Sequence, residues 1–364
     1  MTEKNTSPKA KTIAMMSRAD MTKGHGVLSV YEELIRLLND YCSDKYIIRK
    51  NSLAKADIYH YHTINTEFYL TLPIAKKNGV TVGFVHFLPQ TIDESLHLWK
   101  IAKNPFYWYI MKFYDAMDHI VVVNPHFIDQ LVSSGIDRDK ITYIPNCVSA
   151  ESFFRKSDEE KKALRKKYNI PEGKKTVIGV GQLQIRKGVE DFVEVAKRNP
   201  DKLFMWIGGF SFGKMSDGYE NIKKMVDEPP ENVRFTGIVD REEMNDYYNA
   251  ADMLFLPSFA ELFPVTILEA LSCHLPIVVR DLEEYHGIVS DYCVLCRDNE
   301  EFDAQIKKLC EDEAYYREMS AKSAFGSEYY SAENVAKMWE EFYDGLDKQP
   351  GKKKHSSGKG VKSS

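Results

Sequence analysis

Two carboxylates, Glu261 and Glu269, stand with seven residues between them in the stretch FAELFPVTILEAL, residues 259–271, which otherwise reads as a buried strand-to-helix turn. Paired carboxylates suggest acid and base work, but a glycosidase pair takes its two groups from elements that can be placed independently. Pro264 suits the first turn of a helix, so Glu261 falls in the loop and Glu269 more than a turn into the helix. They do not share one helical face. A carboxylate in either place is also a good acceptor for a sugar hydroxyl.

The segment TVIGVG, residues 176–181, is followed by QLQIRKGVEDFVEVAKR. A strand ends in glycine, a short loop carries Arg186, Lys187 and Gly188, and a helix begins at once. Backbone N–H groups and the positive end of a helix dipole beside two cations suit a phosphate or pyrophosphate; a solvated basic loop is the other reading. Near the N-terminus, MMSRADMTKGHGVLSVYEEL sets Gly24 and Gly26 before a helix, so the backbone there can approach a ligand closely. It is not a dinucleotide fingerprint, because the third glycine would fall at Ser29 and the loop is too long for the tight turn.

His86 ends the strand VTVGFVHF, and a histidine at a strand's carboxyl end points at the cleft, unless it is a satisfied structural histidine. His60 and His62, alternating with tyrosines in DIYHYH, read as structural. No carboxylate or cysteine lies at metal-ligand spacing from them, so no metal is expected. The six cysteines, at 42, 147, 273, 293, 296 and 310, lack the paired spacing of a zinc site or a disulfide scaffold and read as core thiols.

The elements that position these residues alternate. Strand candidates at 12–17, 57–62, 80–87, 118–123 and 140–145 are separated by helices at 27–38, 65–77 and 125–135. The pattern restarts with strands at 176–181, 202–208, 232–237, 252–257 and 275–279 and helices beginning near 188, 217, 240 and 264; the apolar run DYCVLC reads as a further strand. Alternation of this kind means βαβ units and parallel sheets, with ligands at the carboxyl ends of the strands. Between the two sets lies RKSDEEKKALRKKYNIPEGKK, residues 155–175, read as a linker with one exposed helix. The expected organisation is an α/β chain with a first domain at 1–155, a linker at 156–174, a second domain at 175–330, a helix at 331–348 and a disordered basic tail at 349–364. A cleft between the halves is the default site.

At 364 residues the chain suits two domains of about 150 residues each. Its 49 basic and 54 acidic residues give a net charge of −5, which favours no nucleic-acid partner. The N-terminus lacks a signal-peptide core and no apolar run could span a bilayer, so a cytoplasmic protein with at most a peripheral membrane contact is expected.

Together these residues resemble the retaining GT-B glycosyltransferases of family 4. That family combines a Glu-x7-Glu element, a G-R-L-x-x-x-K-G loop and an N-A-A-D-x-x-x-x-P-S segment; here they are Glu261 to Glu269, GQLQIRKG at 181–188 and NAADMLFLPS at 249–258. ITYIPNCVSAESF, at 141–153, is similar to the interdomain segment. The resemblance implies two Rossmann-like domains facing across a cleft, the C-terminal helix returning to the first, and a UDP-sugar as donor with no metal at its diphosphate. It puts Glu269 on the nucleotide ribose, Glu261 on the transferred sugar, Lys187 on the diphosphate, His86 facing sugar and phosphate, and Gly24 and Gly26 in the glycine-rich loop. Leu262, Phe263 and Pro264 join the donor-binding loop. Gln182 replaces the usual arginine, which leaves Arg186 to supply the second charge.

More narrowly, SRADMTKGHGVLSVYEEL, HFLPQT and GQLQIRKGVEDF look like the Gram-positive enzymes that add a second sugar to glucosyl-diacylglycerol, over most of residues 12–345. That implies an α-linked hexose passed from UDP-glucose or UDP-galactose to a glycolipid on the inner face of the plasma membrane. A soluble or polymer acceptor, or a non-catalytic binding subunit, are the other readings. The segment LHLWKIAKNPFYWYIMKFYD, residues 96–115, interleaves Trp99, Phe106 and Trp108, among other rings, with Lys100, Lys103 and Lys112. It reads as a monotopic contact with anionic lipid, the alternative being a helix whose aromatics are core.

Overall fold

The computed structural model describes residues 10–19, 26–86, 88, 100–210, 213, 216–261, 263 and 265–346. Two parallel sheets of six strands each are built in succession. The first contains β1 (Lys11–Met16), β2 (Tyr46–Lys50), β3 (Ile58–Tyr61), β4 (Val80–Val85), β5 (His119–Val122) and β6 (Ile141–Tyr143), in the order β2-β1-β3-β4-β5-β6. The second contains β7 (Thr176–Val180), β8 (Leu203–Ile207), β9 (Val233–Phe235), β10 (Met253–Leu256), β11 (Ile277–Arg280) and β12 (Val294–Cys296), in the order β12-β11-β10-β7-β8-β9. Among the described residues every pairing between these strands is parallel, as at Ile178 beside Met205 and Leu254 beside Ile277. Parallel strands need helical crossovers that cover both faces, which is why β4, β7, β8 and β10 are buried along their whole length.

Strand β2 is absent from the sequence-based expectation. Its sequence, YIIRK, is short and ends in two charged residues, and it forms the sheet's edge with Ile47 about half exposed. The helix expected within the linker exists at Asp158–Lys167, opened by a Ser157/Glu160 capping box. It is docked rather than free. Leu164 is buried, Lys161 and Arg165 both reach Asp252 at 3.0 and 3.2 Å, and Tyr168 stacks on Tyr247, so this segment packs against the second sheet's helices.

The helix Ala332–Asp344 crosses back to the first half. Ala332, Val335, Ala336, Trp339 and Tyr343 form its buried stripe at helical spacing. Lys11 Nζ donates to the Tyr343 carbonyl at 2.9 Å, and the Tyr46 hydroxyl donates to Asp344 at 3.1 Å. A bridge between Val148 and Ser331 ties the outgoing and returning crossings together.

Candidate active site

In the second sheet the strand order reverses between β7 and β10, the position where doubly wound sheets open a crevice at their carboxyl ends. The loop after β7 makes a 3-10 turn, Ile185–Lys187, closed by Gly188 at φ 70°. A Cβ on Gly188 would stand 2.2 Å from the Pro257 carbonyl oxygen, so only glycine lets this loop lie against the one that leaves β10. The loops meet through the Phe259 N–H, which donates to the Arg186 carbonyl at 2.8 Å, and through Lys187 Nζ, 2.5 Å from Glu261 Oε1.

The Lys187 and Glu261 side chains are 13% and 6% exposed. Burial pushes the Glu261 carboxyl up, but the Lys187 and Arg186 charges outweigh it and hold it below the usual range. Burial is also the main force lowering the Lys187 ammonium, with Glu261 opposing it. Two cations and one carboxylate leave a net positive site beside the N-terminus of the helix Val189–Lys197. It is suited to an anion that brings more than one negative charge.

Glu269 lies on the helix Val265–Ser272 and is nearly enclosed, at 5% side-chain exposure. Its Oε1 accepts from Arg241 Nη1 at 2.9 Å and its Oε2 from the Tyr248 hydroxyl at 2.7 Å. Each oxygen keeps a second lone pair for a ligand hydroxyl. The Arg241 guanidinium also lies over Phe153 and feels Glu33 of the first half. Glu33, Phe84, Asn146, Arg241, Val265 and Trp339 line a crevice between the halves.

From the first sheet, His86 follows β4, partly exposed, with its ring stacked on Phe84 at 4.3 Å. Its Nε2 lies 3.3 Å from His62 Nδ1. His60, fully buried beside them, has Nδ1 2.8 Å from the Tyr343 hydroxyl. Burial pushes His60 and His86 down to about 3 and holds His62 well below the imidazole range, so all three rings are neutral at neutral pH.

A model of glycosyltransferase family 4 matches residues 20–152, and one of glycosyl transferases group 1 matches residues 160–324. The chain is 41% identical over 332 residues to the alpha-galactosylglucosyldiacylglycerol synthase of Streptococcus pneumoniae, covering 91% of this chain and 89% of the relative. The chain belongs to glycosyltransferase family 4. The alpha-monoglucosyldiacylglycerol synthase of Acholeplasma laidlawii is 26% identical over 326 residues, covering 84% of this transferase and 79% of the relative. Among solved structures, HepE of Anabaena in complex with UDP and glucose superposes with a TM-score of 0.74 at 14% identity, over 92% of this chain and all of that one. The transferase therefore has the GT-B fold, with the C-terminal helix returning to the first half.

Lys187, Arg186 and Glu261 of the transferase converge at one switch point, with Glu269 on the helix that follows. Gln182, at the start of the same loop, accepts from Gln184 Nε2 at 2.9 Å. Phe263 is buried with its ring edge-on to Tyr330. Gly26 opens the helix Gly26–Tyr41. Gly24, Leu262, Pro264, Trp99 and the basic tail 349–364 lie outside the described residues.

The aromatic segment forms the helix Lys100–Asp115, with Lys100 and Lys103 in its first turn. Its rings divide. Phe113 and Tyr114, two of the other rings in the segment read as a lipid contact, are core residues at 1% exposure, because they face β4 and its neighbours. Phe106 is partly buried against that core, while Trp108 is 64% exposed and Lys112 is exposed.

Sequence reasoning missed Arg241, Tyr248 and Tyr285. Tyr248 directly precedes the NAAD motif, a signal that was available. Tyr285 is buried within electrostatic reach of Glu261, with a hydroxyl that has no hydrogen-bond partner among the described residues. Among the described residues, no group of three or more His, Cys, Asp or Glu could hold a metal, and no helix is long and apolar enough to cross a membrane.

Proposed function

We propose that the chain is a retaining hexosyltransferase that moves a hexose from a UDP-sugar to the sugar of glucosyl-diacylglycerol at the inner face of the membrane. The observation that carries this reading is the near-full-length likeness to a synthase named for a galactosylglucosyldiacylglycerol product. That name favours UDP-galactose over UDP-glucose. HepE, with a similar fold, is seen with UDP and glucose, and it supports a uridine donor.

In this reading the second half holds the nucleotide-sugar and the first half presents the acceptor. Glu269 accepts from the ribose hydroxyls and Glu261 from a hydroxyl of the transferred sugar. Lys187, Arg186 and the following helix N-terminus stabilise charge on the leaving diphosphate, and His86 faces it from the other side of the cleft. The acceptor hydroxyl attacks the anomeric carbon on the face the diphosphate leaves. The anomeric carbon–phosphate oxygen bond breaks, a bond to the acceptor oxygen forms, and the acceptor's proton goes to the departing phosphate oxygen. Neither glutamate acts as a nucleophile.

A membrane face is supported by an exposed apolar patch on two adjacent helices. The helix Thr66–Asn78 exposes Leu70 and Ile74, one turn apart, at 77% and 54%. Trp108 adds 64% exposure from the helix Lys100–Asp115, and the Tyr69 and Tyr109 rings, 5.9 Å apart, join the two helices. Exposed Lys112 lies one turn beyond Trp108, where it can meet anionic headgroups while the rings and aliphatics enter the interface.

Incubating the purified chain with UDP-galactose or UDP-glucose and glucosyl-diacylglycerol in vesicles tests the proposal. A lipid product carrying one added α-linked hexose is expected. Hydrolysis of the UDP-sugar with no such lipid under any vesicle composition would refute the acceptor.

A further inference from the structure

Behind His86 lies a histidine that no step above uses. His62 follows β3, which pairs directly with β4, so its side chain comes up beside His86 at the carboxyl edge of the first sheet. The ring is 1% exposed, lies edge-on to Tyr31 and stacks on Phe84. Its Nδ1 faces His86 Nε2 at 3.3 Å, and its Nε2 is buried with no hydrogen-bond partner among the described residues.

Those two facts constrain where the protons can sit. Burial keeps both rings neutral, so each carries one N–H, and the hydrogen bond between His62 Nδ1 and His86 Nε2 takes a single proton. If His86 supplied it, His62 would carry its own proton on Nε2, and an N–H would be buried with no acceptor among the described residues. If His62 supplies it, Nε2 is a bare lone pair, and an unmet acceptor in a ring-lined pocket is the milder defect. Orphaned buried N–H groups are the rarer of the two in folded proteins.

We infer that His62 is a positioning residue that donates from Nδ1 to His86 Nε2 and so locks His86 in its Nδ1–H form. On the ring edge away from His62, His86 then carries an N–H and not a lone pair. This rests on the reading above, in which His86 faces the nucleotide-sugar: an N–H there binds a phosphate or sugar oxygen, whereas a lone pair would repel the diphosphate. The order of the two histidines therefore selects an oxygen-rich anionic ligand and makes His86 unfit to act as a general base through Nδ1.

Long-range proton–nitrogen correlation on the full chain, labelled with nitrogen-15 histidine and assigned with a His86→Gln variant, reads the form directly. His86 protonated at Nδ1 and bare at Nε2 is expected; His86 protonated at Nε2 overturns the inference without any variant of His62. In His62→Phe, which keeps the ring and removes the N–H, His86 should become a mixture of both forms. Its turnover number should fall about ten-fold, the range of one hydrogen bond. His62→Asn, which keeps an N–H near the Nδ1 position, should restore both. A His86 signal unchanged in His62→Phe also overturns the inference. If the wild-type form is as expected but His86→Gln transfers hexose at the normal rate, the role of His86 at the nucleotide-sugar fails while the proton order stands.

Discussion

Lys187 and Glu261 form a nearly enclosed ion pair, Nζ to Oε1 2.5 Å, between the loops that follow β7 and β10. The pair closes the switch point of the second sheet with the two groups that the proposed reaction needs. In the free protein each neutralises the other. In the proposed complex with a nucleotide-sugar, Lys187 would gain the diphosphate and Glu261 a hydroxyl, so the ligand would enter a site whose charges are already aimed.

Removing one member of that pair leaves a buried charge. Lys187→Met or Glu261→Gln alone should each destabilise the fold by up to about 3–5 kcal/mol, the range for breaking a buried pair, while the double variant should recover much of the loss. Transfer should stay abolished in all three. Urea denaturation checks the stability pattern; equal and additive losses in the double variant would contradict a coupled pair.

Glu269 should matter to nucleotide affinity more than to folding. Its two oxygens are held by Arg241 and Tyr248, and a charged hydrogen bond to a ribose hydroxyl adds about 1.5–3 kcal/mol. Glu269→Ala should therefore weaken UDP binding ten-fold or more by calorimetry. Tyr248→Phe should show a smaller loss, since it only loosens one oxygen. Unchanged UDP affinity in Glu269→Ala would remove it from the ribose site.

Much of this was legible in the sequence, because strand ends and motif order carry their own signals. The glycine that closes TVIGVG, the basic RKG turn and the proline before TILEAL mark where loops leave a parallel sheet, and the loops' residues then have one place to go. What stayed hidden depends on contacts between distant elements. Nothing beside Arg241 announces that it reaches Glu269, and nothing in DIYHYH tells that His60 meets Tyr343, 283 residues away. The ring-rich segment misled for a related reason. Ring count does not say which side of a helix faces the sheet, and Phe113 and Tyr114 turned out to fill the core while Leu70 and Ile74, from another helix, extend the exposed patch.

The exposed patch gives a separable test. Replacing Leu70, Ile74 and Trp108 with serine should reduce co-sedimentation with anionic vesicles and lower transfer to a lipid acceptor. Slow hydrolysis of the UDP-sugar should persist, because these residues lie on the first half's outer helices, away from Lys187 and Glu261. Vesicle binding equal to that of the unaltered chain would remove the patch as the membrane face.

The histidine cluster sets the acid response. His60 and His86 are pushed to about 3 from an ordinary value of 6.5, by burial above all. Between those limits the unfolded chain takes up protons that the folded chain refuses, so stability is complete above the unfolded value and falls as pH drops. A fully buried histidine such as His60 costs about 1.4 kcal/mol for each pH unit in that window, and the partly exposed His86 costs less. Urea midpoints should therefore decline from pH 7 to pH 5, and His60→Asn, though less stable at pH 7 for losing its packing and the Tyr343 bond, should show a shallower decline. A decline as steep in His60→Asn as in the unaltered chain would mean that other groups, and not this imidazole, govern acid unfolding.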